Sequence, residues 1–159
     1  MLRQPYPLEA LRRLRDERVE ARALRLAEQV ARSATALARL SQRERARRDH
    51  ESSTASALQG ERDRLELVGA SGADLLRVSD FERAARVQAA ALSASEAEAR
   101  QALAAERAEE QKLRVQLAQL EAEAKLVRNH EAGFHEHHAE LQEKAEEEAA
   151  LEQWSARRH

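Results

Sequence analysis

Between Pro7 and the C-terminus the sequence holds no proline and one strong interruption, the run Val68-Gly69-Ala70-Ser71-Gly72-Ala73-Asp74. Two glycines so close together open backbone conformations closed to other residues, as the end of a helix and a change of chain direction require. A chain with one such break has room for two long elements and little else. The helix formers Ala, Leu, Glu and Arg dominate both sides of it, while aromatic residues make up only 3% of the chain. That composition favours long helices over a globular core.

The apolar spacing on either side is that of a coiled coil. From Val19 the chain steps by four and three through Ala23, Leu26, Val30, Ser33, Leu37 and Leu40. It crosses a polar middle at Glu44, Arg47, Glu51 and Thr54, then resumes at Leu58 and Leu65. Beyond the break a second set runs through Leu92, Glu96, Ala99, Leu103, Glu106, Glu110, Leu113, Leu117, Leu120, Ala124 and Val127 to Phe134, His138 and Leu141. A reversal near Ala70 and Ser71 sets residue i opposite about residue 142 − i. This register places Leu26 by Leu117, Val30 by Leu113, Leu37 by Leu103, Leu58 by Ala85 and Leu8 by Phe134, with Leu40, Leu120 and Val127 on the same seam.

The expected fold is therefore all-α, one elongated domain over residues 1–159 built as a long antiparallel two-helix coiled-coil hairpin. A first helix is expected at about 7–67, entered at Pro7, where a missing N–H is harmless. A reversal follows at about 68–79. Ser79 and Glu82 have capping-box spacing, which starts the second helix at about 80, and it continues to about 157. At 1.5 Å per residue the arms come to roughly 90 and 120 Å, a rod, with the last twenty-odd residues of the second helix projecting past the first.

Charge supports pairing of the two halves. Residues 1–64 carry 15 arginines against 10 acids (+5) and residues 65–159 carry 12 bases against 19 acids (−7), which together give the net −2. Arginine and glutamate are interleaved in the first half with no aromatic platform beside them, so nucleic acid is not expected as a partner. The chain has no cysteine, which excludes disulfides and thiolate metal sites. Met1 to Leu14 is broken by Arg3, Glu9, Arg12 and Arg13, and no apolar run approaches the roughly 18 residues of a membrane span. A cytoplasmic location is the expectation.

No Gly-rich phosphate loop, HExxH pair or nucleophile elbow occurs, so neither catalysis nor a cofactor nor a small-molecule substrate is expected. Glu131, His135 and His138 share a helix face as zinc ligands would, with His130 and His137 near. A solvated histidine face accounts for them more simply. The run Glu143 to Glu152 reads as a solvated acidic face. Phe81 near the reversal, and Tyr6 and Trp154 at the open end, are large apolar groups that suit interface anchors.

The opening Tyr6-Pro7-Leu8-Glu9-Ala10-Leu11 through Leu14-Arg15 and Val19, the Gly-interrupted centre and the closing glutamate-rich helix with Trp154 resemble the stalk proteins of type III secretion and flagellar export, the YscO and FliJ families. The resemblance implies a fold like a rotary ATPase central shaft. It also implies a cytoplasmic protein held at the inner membrane through its partners. Those partners would be a hexameric secretion ATPase, the cytoplasmic domain of the export gate, and secretion chaperones. By the same resemblance the helix ends, with Tyr6, Leu8, Leu11, Leu151 and Trp154, meet the ATPase. Phe81, with Ala85, Gln88 and Leu92 on its face, meets the export gate. The alternatives are a chaperone-escort factor and a generic coiled-coil scaffold.

Overall fold

The structure, a computed structural model, describes residues 5–157. Two helices account for almost all of them, α1 at Glu9–Val68 (60 residues) and α2 at Gly72–Ala156 (85 residues), packed against each other as an antiparallel hairpin with no strand among the described residues. α1 opens on a turn in which the Glu9 N–H donates to the Tyr6 carbonyl at 3.2 Å. Glu9 then binds Arg12 at 2.8 Å and Arg13 at 2.9 Å. An acid in the first turn faces the positive end of the helix dipole, and the arginines one turn on hold it there.

The reversal is much tighter than the sequence spacing led us to expect. It consists of Gly69, Ala70 and Ser71 alone, so Leu75 to Val78, assigned to the connection from sequence, lie in α2. Gly69 takes φ = 86° and its N–H donates to the Leu65 carbonyl at 2.9 Å, which closes α1 in a left-handed cap. Ser71, and not Ser79, starts α2. Its Oγ accepts from the Asp74 N–H at 3.2 Å, and Asp74 Oδ2 accepts from the Ser71 N–H at 3.1 Å. This is a capping box in which aspartate replaces the usual glutamate.

The described residues fall into two compact units, residues 5–26 with 112–157, and residues 27–111. In the second unit Ala36, Leu40 and Leu103 form a buried cluster with Ala99 against it. Gln29 lies buried beside it and donates to the Glu106 carbonyl at 3.0 Å. The polar middle of α1 is filled by charge. Arg47 Nε contacts Glu96 at 2.6 Å, and Arg100 spans Glu96 at 2.7 Å and Glu44 at 3.7 Å. Buried to 7% exposure, Glu96 is the acid this arrangement neutralises, and the paired arginine holds its carboxyl below the usual range.

The first unit buries Tyr6, Leu113 and Ala124, with Leu26, Leu117, Leu120 and Val127 half-buried. Ion pairs flank this stripe: Arg128 with Asp16 at 2.8 Å, Arg12 with Glu131 at 3.4 Å, and Arg15 with Glu123. Arg22, one turn before Leu26, donates at 2.7 Å to Gln116, the neighbour of Leu117. Numbers of paired residues add to 143 for Arg47 and Glu96, 144 for Asp16 and Arg128, 138 for Arg64 and Asp74, and 135 for Gln29 and Glu106, around the expected 142.

The α1 seam nevertheless differs from the expected one. Val30 and Leu37 are 41% and 44% exposed, and their neighbours Gln29 and Ala36 are buried instead. Small side chains at Ser33, Ala36 and Ala99 permit the helices to pack closely, and in that geometry α1 turns its alanine face, rather than its valine and leucine, toward α2. Leu40, Leu103 and Leu113 keep their expected seam positions as buried residues, and Leu58 is half-buried.

Candidate partner-binding surfaces

At the reversal the two helices leave apolar side chains uncovered. Leu67, Val68, Leu75, Leu76 and Phe81 are all between 43% and 87% exposed. Their backbone is held firmly all the same. Arg64 spans Glu61 and Asp74, the latter at 3.2 Å, while Ser71 and Asp74 bind each other. Hydrogen bonds from Ser71 hold the Asp74 carboxyl at about 2, well below its ordinary value, with Arg64 adding to the effect, and the same arginine holds Glu61 down. The result is a rigid tip with an apolar outer surface.

Phe81 is 43% exposed and borders two hollows between the helices. One, of about 260 Å³, is lined by Ala57, Leu58, Glu61, Arg77 and Val78. The other, of about 380 Å³, is lined by His50, Ser53, Thr54, Ala57, Ala84, Ala85 and Gln88. These spaces exist because alanine, serine and threonine face each other where a coiled coil ordinarily places leucine. His50 Nε2 donates to the Ala85 carbonyl at 3.1 Å and ties the helices together across the gap. Ala85 and Gln88 thus share the surroundings of Phe81, whereas Leu92 is half-buried further along the seam.

At the other group of expected contacts the structure corrects the sequence reading of Tyr6. Far from standing uncovered, Tyr6 is 5% exposed. Its hydroxyl lies 2.7 Å from His130 Nδ1, and its ring packs edge-on to Phe134 at 5.6 Å and tilted to His130 at 5.7 Å. Burial, reinforced by the nearby Glu131 carboxylate, raises the Tyr6 hydroxyl pKa. Phe134 therefore meets Tyr6, while Leu8 is 41% exposed. Only Pro7 separates Tyr6 from Leu8, and the turn there lets the larger ring reach back over α2.

The histidines of this region are occupied in the same packing. His138 lies 4.3 Å from Phe134, and His135 lies 4.0 Å from Glu131. Among the described residues no three His, Cys, Asp or Glu side chains are grouped as a metal ion requires. Past His138 α2 continues with every residue from 139 to 157 exposed. Leu151 is 65% and Trp154 56% exposed, and Leu11 on α1 is 36% exposed.

The tip residues Leu67, Val68, Leu75 and Leu76 were not singled out from sequence. The signal was there for Leu67 and Leu76, which lie off the heptad stripe beside the break and so have no seam to enter. No helix among the described residues is long and apolar enough to cross a membrane. No family model, curated protein or solved structure matches this chain.

Proposed function

We propose that this chain is a non-enzymatic stalk of a type III secretion or flagellar export apparatus, one that engages a hexameric ATPase through its helix ends and the export gate through its reversal. The observation that supports this most directly is that α2 outruns α1. Residues 139–156 stay helical with nothing of α1 over them and carry Leu151 and Trp154 outward. Such a segment suits insertion into an enclosing partner, where apolar side chains would be covered and a solvated helix ordered.

The apolar tip supplies the second contact in this reading, with Phe81 as its anchor and the hollows beside it as receptors for partner side chains. Leu8 and Leu11 join Leu151 and Trp154 on the ATPase side, while buried Tyr6 positions the helix start and makes no direct contact with the partner. The chain stays cytoplasmic and reaches the membrane only through the gate.

The test is to add the purified chain to a hexameric export ATPase and follow hydrolysis, and separately to measure binding to the gate's cytoplasmic domain. Stimulated hydrolysis is expected. Phe81→Ala is expected to weaken gate binding at least about tenfold, as loss of a buried aromatic anchor does, while leaving stimulation intact. Absence of both stimulation and gate binding, with tight binding to an export chaperone, would replace this reading with an escort role.

A further inference from the structure

A groove of about 690 Å³ runs between the helices of the 27–111 unit, and its walls are chemically unlike. Arg32, Arg39 and Arg43 line the α1 side, all exposed and with no ion-pair partner among the described residues. Ala31, Thr35, Ala36, Ala99 and Ala102 make a floor of small side chains, and Glu98 and Glu106 stand on the α2 side. The arginines follow one another at i, i+7 and i+11, which keeps them on one helix face. Arg12, Arg13, Arg15, Arg47, Arg48 and Arg64 of α1 pair with acids, while Arg32, Arg39 and Arg43 differ in lining one groove together. Three neighbouring guanidinium groups beside an alanine floor are therefore a set whose complement lies elsewhere.

A nucleic-acid backbone fits this groove poorly, because it carries phosphates along its whole length and those turned to the α2 side would face Glu98 and Glu106, whereas an occupant with acids along one edge alone keeps them on the arginine side. A third helix fits better. Small floor residues permit a close helix approach, and the span from Ala31 to Arg43 measures roughly 18 Å along the axis, three turns. The occupant must present acids along one edge and small residues beside them.

The chain itself carries such a helix. Glu136, Glu140, Glu143 and Glu147 fall at i, i+4, i+7 and i+11 on α2, all exposed and with no ion-pair partner among the described residues. Ala132, Ala139 and Ala150 lie beside them on the helix surface. Glu136, Glu143 and Glu147 repeat the spacing of Arg32, Arg39 and Arg43. Glu136, Glu140 and Glu147 repeat it in reverse, so the match exists for either direction of approach.

We infer that the acidic stripe of one chain docks in the arginine-lined groove of a second copy, giving a head-to-tail self-association. The stripe and groove are different surfaces, so the contact is heterologous and can propagate beyond a dimer. The groove is free of the contacts given to the stalk, whereas Glu140, Glu143 and Glu147 lie in the α2 overhang assigned to the ATPase, so a chain docked through its stripe in a second copy cannot insert that segment into the ATPase at the same time.

Sedimentation velocity of the full chain over a range of concentrations, at low salt and at about 1 M salt, tests it. Concentration-dependent association is expected at low salt and its loss at high salt. Arg32→Glu, Arg39→Glu and Arg43→Glu together, or Glu136→Lys, Glu140→Lys, Glu143→Lys and Glu147→Lys together, should each weaken it at least about tenfold. Mixing the two charge-swapped proteins should restore association between them. Circular dichroism of each variant at matched concentration checks that its helices remain. Should a swap unfold the chain, neutral Gln replacements give the same reading with a smaller loss. A monomer at every concentration in low salt, association that ignores the swaps, or association captured only by another protein's acidic helix would each overturn the inference.

Discussion

Asp74 shows how much of this fold turns on single polar side chains. It joins the cap of α2 to Arg64 at the end of α1, and those contacts hold its carboxyl at about 2 against an ordinary 3.8. Since the folded chain keeps Asp74 ionised while the unfolded chain binds the proton, its stabilisation is complete above about pH 4. It disappears as pH falls toward 2. Glu9, held at about 2 by Arg12 and Arg13, acts in the same sense at the start of α1. Asp74→Asn is accordingly expected to unfold at lower urea than the parent chain near neutral pH and to converge with it near pH 2. A difference independent of pH would show that the cap acts through shape and not charge. Tyr6 is the counterpart at the open end, where one hydroxyl and one ring fix the entry to α1. Its burial was not legible in the sequence, because proline on both sides marks a turn without saying which way the ring points.

At the level of the helices, two glycines interrupt good helix formers without a packing reason. A Cβ placed on Gly60 or on Gly133 meets nothing within 4 Å. Gly60→Ala and Gly133→Ala should each stabilise the chain by about 0.5 to 1 kcal/mol, measured as a higher urea midpoint with unchanged slope. Gly69→Ala has the same open space but a φ of 86°, and should destabilise by roughly 1 kcal/mol. Equal effects at all three positions would mean that the cap geometry is not what holds Gly69. The helices, their order and the α2 stripe from Leu92 to Val127 were readable in the sequence because a heptad repeat is strongly periodic. The side that α1 presents was not. Val30 and Leu37 satisfy a heptad as well as Gln29 and Ala36 do, and only the packing of alanine against alanine decides between them. The start of α2 was misplaced for a related reason, since Ser71 with Asp74 and Ser79 with Glu82 carry the same capping pattern and the nearer pair wins.

For the whole molecule, the buried apolar set among the described residues is small: Tyr6, Ala36, Leu40, Leu103, Leu113 and Ala124. Half of its members are alanine or tyrosine, so burial per residue is low and much of the seam is held by charge. The isolated chain is expected to melt by circular dichroism within or below about 45 to 65 °C, the range of ordinary mesophilic domains, and to gain stability when a partner covers it. A transition far above that range would show that the ion pairs contribute more than exposed pairs usually do. The three-residue reversal has one more consequence. Sequence separation between touching residues starts at 3 for Ser71 and Asp74, rises to 35 for His50 and Ala85, and reaches 124 for Tyr6 and His130. Loop closure is cheapest beside Gly69, and each pair formed there shortens the loop that the next must close. Folding should then run like a zip fastener drawn from the bend, with the clasp of Tyr6 on His130 the last to shut and the first to fray.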